Sequence, residues 1–224
     1  MTGLRPPRAP SGSSPGRGFL TPAILRDVAD LNQQFLGLSL EPALAADPRY
    51  ALPETARAAL RSGGTELLER VAACPFTLFE VSLVHDGCGG ADVGARVEDS
   101  KRPLVDAATA ARAHSFGDVA VFLAWRLADA EPLAVRIVLG LSAAAELLLS
   151  QVRPTDLPRL ANAPHLIRPR WTQHPRFWNL LLRASAAPGQ ATLQRAHCAG
   201  ICMIVADLYG PDGQPRDALR RQRR

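Results

Sequence analysis

The fold is decided by residues 52–75, which read LPETARAALRSGGTELLERVAACP, and by residues 141–164, which read LSAAAELLLSQVRPTDLPRLANAP. The two stretches align without a gap at an offset of 89 residues, so that Pro75 falls on Pro164. Alanine and leucine dominate both stretches, which favours helices over sheets, and each reads as two short helices, a proline and an extended segment. The alignment predicts two copies of one helical unit, packed with pseudo-twofold symmetry. The alternative is a chance match between alanine-rich helices.

Further helices flank the two copies. Thr21 followed by Pro22 is typical of a helix start, and the narrow apolar stripe that follows indicates pairing with another helix. Residues 119–129 are apolar nearly all round, so we expect them to be buried or to lie in an interface. Two more helices are predicted near residues 176–186 and 191–209.

We therefore predict a mostly α protein, a helical bundle of two related helical subdomains with disordered N-terminal and C-terminal tails. The proline- and serine-rich composition at the start of the chain predicts a disordered tail at residues 1–19. The other predicted segments are subdomain A at residues 20–95, a linker at 96–117, subdomain B at 118–210 and a basic tail at 211–224.

Composition limits the classes of function. The chain has 224 residues, of which 47% are hydrophobic and 21% charged, as in ordinary globular proteins. Every long apolar stretch is interrupted by charges, which predicts no membrane span. The first residues lack the apolar core of a secretory signal, so we expect a cytoplasmic protein with reduced cysteines, a non-classical export leader being the alternative.

Positive charge is concentrated in the C-terminal half. Residues 153–183 contain six arginines and a single aspartate, and residues 211–224 contain five arginines and two aspartates. Such a distribution can attract phosphate backbones, acidic proteins or anionic surfaces.

The candidate binding residues lie in this basic region, where arginines alternate with large aromatic side chains. Arginine supplies charge that neutralises phosphates, and tryptophan supplies flat surface for a base or a partner protein. The alternative is that the aromatic residues fill the core while the arginines surround it. The predicted binding residues for nucleic acid or a protein partner are Arg168, Arg170, Trp171, Arg176, Trp178 and Arg183.

Motifs for catalysis, metal or cofactor binding are weak. His197, Cys198 and Cys202 share a predicted helix, but a structural zinc needs four ligands, so we predict buried thiols there. The loop at residues 85–88, His-Asp-Gly-Cys, could hold a nucleophile, yet ordinary turn chemistry explains it. No GxSxG, HExxH or phosphate-binding loop is found, and we expect a non-enzyme with no cofactor, no metal and no evident small-molecule substrate.

The second copy contains a series of short motifs in a fixed order, namely LAWRL at residues 123–127, LGLS at 139–142, LL at 147–148, DLPRLA at 156–161 and HLI at 165–167. In this order they resemble the FlhD family of flagellar transcriptional activators, and the resemblance covers residues 120–208, with a weaker trace at 22–84. It implies a helical, dimeric regulator that acts on DNA together with a zinc-binding second subunit. Arg168 stands where the family has a cysteine, so the family's inter-subunit disulfide is not implied. Members are also about half as long, so a tandem copy could replace the homodimer.

These observations predict an FlhD-like regulatory protein that binds protein partners and, as a further candidate, DNA in transcriptional control. The competing hypothesis is a helical adaptor without DNA binding, linked to a motility or secretion system. No membrane partner is expected.

Overall fold

α-Helices make up most of the computed structural model, which describes residues 20–82, 105–161, 166–187 and 189–209. The predicted mostly helical bundle is confirmed. Two 3₁₀ turns, at Pro42–Leu44 and Pro154–Asp156, join helices. The α-helices of the described part are α1 Pro22–Leu40, α2 Glu54–Ala72, α3 Ala107–Ala130, α4 Pro132–Leu139, α5 Ala143–Gln151, α6 Leu157–Ala161, α7 Pro175–Ala186 and α8 Gln190–Leu208.

Helix α1 starts as its sequence predicts and carries two buried polar residues, Asn32 and Ser39. The Thr21 hydroxyl accepts the Ile24 N–H at 3.3 Å, which satisfies a free amide of the first turn. Asn32 lies in the apolar stripe and bonds only to backbone. Its amide donates to the carbonyls of Ala72 (3.0 Å) and Phe76 (2.9 Å), and its carbonyl accepts the Leu78 N–H at 2.8 Å. Asn32 therefore fastens α1 to the end of α2 and to the extended segment beyond it.

Equivalent helix ends recur at the offset found in the sequence. Helix α2 begins at Glu54 and α5 at Ala143, while α2 ends at Ala72 and α6 at Ala161, so both separations equal 89 residues. Gly64, with φ of +66°, interrupts α2 at the position where the second copy passes from α5 to the 3₁₀ turn. An internal duplication predicts this agreement, while the division into two subdomains stays a prediction.

A short antiparallel sheet joins the two copies. Strand β1, Phe79–Val81, pairs with β2, Ile167–Pro169, in the register Phe79 with Pro169 and Glu80 with Arg168. Phe79 is equivalent to Arg168 at the offset of 89 residues, and Pro169 is equivalent to Glu80. The first pair is therefore converted into the second when the two copies are exchanged. The ladder therefore has the local twofold symmetry expected when equivalent antiparallel strands meet.

One hydrophobic core serves both copies. Phe79 of the first copy lies between Phe35 of α1 at 5.3 Å and Phe116 of α3 at 5.0 Å, as ring centroid distances. Helix α7 of the second copy packs on α2 of the first. The core residues form a single cluster that draws on both halves of the chain.

The start of α3 differs from the prediction. Residues 107–117, predicted as part of a linker, are helical because the Asp106 carboxylate caps the helix by accepting the Thr109 N–H at 2.9 Å. Thr109 and Phe116 are buried, so this segment also packs on the core. The predicted tails at 1–19 and 211–224 and the loop at 85–88 lie outside the described residues.

None of the described helices is both long enough and apolar enough to cross a bilayer.

Candidate functional site

The structure separates the six predicted binding residues into two groups. Arg168, Arg176 and Arg183 are exposed. The other three are interior, since Arg170, Trp171 and Trp178 have relative exposures of 6%, 7% and 0%. Trp171 and Trp178 are therefore core residues, and the predicted surface of alternating arginine and tryptophan does not form.

The tryptophans turn inward because the chain bends sharply after β2. Trp171 has a φ of +55°, a conformation uncommon for a bulky residue, and its carbonyl accepts the His174 N–H at 2.9 Å just before α7 begins. Its ring meets that of Phe76 edge-on at 5.5 Å and that of Phe177 at 4.4 Å. The structure agrees with the alternative prediction from the sequence, in which these aromatic residues fill the core.

Arg170 is a buried cation. Its Nη2 donates to the Val138 carbonyl at 3.3 Å, and the guanidinium lies 5.7 Å from the Trp171 ring. Nη1 has no hydrogen-bond partner within the described part of the chain. Burial lowers the pKa of Arg170 to about 10, while the charges of Glu80 and Asp207 act in the opposite direction. The side chain therefore stays charged at neutral pH inside the protein.

Gly140 makes room for this guanidinium. It follows α4 with a φ of +66°, the left-handed conformation that glycine adopts at helix ends. A Cβ atom at this position would overlap the Arg170 guanidinium. Gly140 belongs to the LGLS motif at residues 139–142, so this motif also forms the wall against which a buried charge packs.

A cleft of about 390 Å³ opens beside Arg170. Four charged side chains contribute to it, namely Arg136 and Arg170 with Glu80 and Asp207. The Arg136 guanidinium is held in place by donating to the Tyr209 hydroxyl at 3.0 Å, with its centre 5.5 Å from that ring. The other lining residues are Gly140, Ser142, Ala143, Pro169, Trp171, Thr172, Gln173, His174, Ile204 and Leu208.

The exposed arginines leave a smaller basic surface. Arg176 and Arg183 are seven residues apart on α7, and they therefore lie on one face two turns apart. Helix α7 contains no acidic residue. Arg168 lies on β2 opposite Glu80 in the ladder.

An apolar surface remains exposed on α3 and α5. Val119 and Phe122 of α3 are 43% and 52% exposed, and Leu147 and Leu148 of α5 are 58% and 39% exposed. We call these four residues the α3–α5 apolar surface.

The two helices of this surface are tied together and to the core. The Trp125 ring lies 6.0 Å from that of Phe122, and its Nε1 donates to the Val152 carbonyl at the end of α5 at 2.9 Å. The opposite face of α3 is buried through Val121, Ala124 and Ala128. The sequence predicts that residues 119–129 are buried or lie in an interface. One face of this segment is buried, while Val119 and Phe122 on the other face are exposed.

The thiols on α8 differ from the prediction. Cys198 and Cys202 are exposed, because the inward positions of α8 are taken by Ala196, Gly200 and Ile204. His197 is half-buried, its ring 6.3 Å from that of Phe76, and burial lowers its pKa. Within the described ranges, no three or more histidine, cysteine, aspartate or glutamate side chains come together as a metal site would require.

Comparisons with models of protein families, with curated proteins and with solved structures give no match to this chain. The resemblance to the FlhD family stays a prediction. Function must therefore be argued from the residues themselves.

Proposed function

We propose that the protein is a cytoplasmic regulatory or adaptor protein that works by binding a partner protein through the α3–α5 apolar surface. The observation that carries this proposal is the exposure of Phe122 and Leu147, each more than half accessible on adjoining helices. Large apolar side chains grouped at a surface mark protein interaction sites more often than isolated ones do.

The energetics favour an interface of moderate strength. Complete burial of a large apolar side chain is worth about 1.5–3 kcal/mol, so the exposed part of each of the four contributes roughly 1 kcal/mol when a partner covers it. Aromatic residues near the centre of an interface carry a disproportionate share of such energy. Phe122 is the aromatic residue of this surface.

Charged residues border the apolar centre, as in typical interfaces. Arg126 and Asp118 are one helical turn after and before Phe122, so they flank it along α3. Arg126 is held by an ion pair with Asp27 of α1, with Nη2 and Oδ2 2.5 Å apart. A partner with an apolar strip bordered by charges, such as one face of an amphipathic helix, matches this pattern.

A charge at the centre of the surface tests the proposal. The Phe122→Asp variant should remain folded, because more than half of the side chain is exposed. It should lose the partner that is recovered with the wild-type chain from its own cells. The matched control is Leu180→Asp on α7, which is 40% exposed outside the surface.

Binding to the purified partner should weaken by about 100-fold or more for Phe122→Asp and by less than about threefold for Leu180→Asp. Equal affinity of wild type and Phe122→Asp for that partner would refute the proposal.

The second candidate function is DNA binding, which an FlhD-like regulator would require. It is favoured by the basic face of α7, a helix without acidic residues. Neutralisation of three phosphates by Arg168, Arg176 and Arg183 gives a salt-dependence slope of about −2.7 in a log–log plot. Duplex DNA retention that falls with salt at this slope, and is lost when the three arginines become alanine, would support it. Retention independent of salt, or unchanged in the triple variant, would exclude this surface.

A further inference from the structure

The guanidinium of Arg170 lacks a carboxylate partner. No ion pair within 4.0 Å involves it in the described ranges, and Nη1 makes no hydrogen bond there. Arginine has five N–H donors, and a buried charge is costly unless it is paired. Arg170 also lines a cleft, so a ligand bound there can supply the acceptor that the protein itself does not provide.

The cleft offers complementary charges at two places. Arg136 and Arg170 supply two positive charges, and Glu80 and Asp207 supply two negative charges. The negative charges of Glu80 and Asp207 favour the charged form of Arg170. Neither carboxylate, however, lies within the 4.0 Å of an ion pair with it. The formal charge of these four side chains sums to zero, and no two of opposite sign form an ion pair within 4.0 Å.

We propose that this cleft binds a small zwitterion of the amino-acid class, with its carboxylate on Arg136 and Arg170 and its ammonium group on Glu80 and Asp207. Guanidinium groups donate strong, charge-assisted hydrogen bonds to carboxylates. Phosphate is disfavoured, because it carries no cationic group for Glu80 and Asp207 and would add net negative charge to a cleft whose own four charges sum to zero. The volume of about 390 Å³ suits a small metabolite.

Several walls of the cleft are fixed before any ligand arrives. Trp171 is held by Phe76 and Phe177, and Gly140 packs against the Arg170 guanidinium. Arg136 is held by Tyr209. A preformed site of this kind loses little conformational entropy on binding.

This site goes beyond the proposed function, since its lining shares no residue with the α3–α5 apolar surface. The experiment uses the full chain and titrates it with each standard amino acid at millimolar concentration, by calorimetry and by thermal denaturation. Matched probes are the decarboxylated amine and the deaminated acid of the best binder, and inorganic phosphate. The expected result is saturable binding of at least one amino acid, with each matched probe weaker by roughly tenfold or more.

Variants then locate the site. Asp207→Asn and Arg136→Gln should each weaken binding by roughly tenfold, and the exposed side chain of Asp207 makes the first of these safe for folding. The matched control is Arg176→Gln, which is exposed and does not line the cleft. Three outcomes would overturn the proposal, namely no binding by any amino acid, phosphate binding more tightly than every amino acid, or amino-acid binding unchanged in both cleft variants.

Discussion

Replacing Arg170 by methionine should make the protein more stable. The lowered pKa of about 10 means that the interior disfavours the charged form of Arg170 by about 3 kcal/mol. Methionine keeps an unbranched chain of similar shape and removes the charge. It also removes the bond from Nη2 to the Val138 carbonyl, but that oxygen still accepts the Thr77 N–H at 3.0 Å and is not left without a donor.

We therefore expect Arg170→Met to raise the free energy of unfolding by about 1–3 kcal/mol at pH 7, as found when uncompensated buried charges are replaced by apolar residues. The buried charge destabilises the folded state at every pH at which the Arg170 side chain is protonated. This destabilisation is therefore constant around neutral pH and decreases only as pH rises through about 10, the pKa of the folded side chain. Urea denaturation measures the difference, with exposed Arg176→Met as the control, expected within about 0.5 kcal/mol of wild type. A loss of 2 kcal/mol or more in Arg170→Met would show that the guanidinium is paired and net stabilising, and would refute this reasoning.

Three other predictions concern stability and its pH dependence, each checked by urea or thermal denaturation. Asn32→Ala should lower the free energy of unfolding by about 2–5 kcal/mol, because it leaves two carbonyls and one amide of the backbone without their partner. The control Gln33→Ala, on the exposed face, should lower it by less than about 0.5 kcal/mol. Gly140→Ala should lower the free energy of unfolding by about 1–3 kcal/mol, because φ is positive there and the new Cβ would overlap the buried guanidinium. Gly37→Ala within α1, where a Cβ has no atom within 4 Å, should raise it by up to about 1 kcal/mol. The lowered pKa of His197 means that the unfolded chain binds more protons than the folded one, so stability should fall as pH drops from 7 to 5, and His197→Gln should reduce that fall.

Most helix ends were predictable from local chemistry. Thr21 with Pro22 marks the start of α1, Ser142 caps α5 by accepting the Ala145 N–H at 3.2 Å, and Pro175 opens α7. These signals are confined to one helical turn, and a sequence displays them directly. The start of α3 was missed, because Asp106 caps a helix whose first turns are polar and alanine-rich, without the apolar periodicity that marks a helix in sequence.

The placement of Arg170 could not be predicted, because segments distant in sequence determine it. Arg168 and Arg170 are two residues apart, and strand periodicity places both on one side. However, β2 ends at Pro169 and the chain reverses at Trp171, so Arg168 is exposed while Arg170 is buried. Its environment comes from Val138 and Gly140, some thirty residues earlier. The same holds for Trp171, whose ring packs on Phe76 of the first copy.

Photo-crosslinking at position 122 shows directly whether a protein binds to the α3–α5 apolar surface. A photoreactive phenylalanine analogue in place of Phe122 preserves the ring, and 52% of this side chain is open to a partner. Irradiation of cells that express this chain should yield a covalent adduct with one partner protein, and the same analogue at Leu180 should not. The absence of an adduct at position 122, or the same adducts at both positions, would contradict the claim that the α3–α5 apolar surface binds a protein.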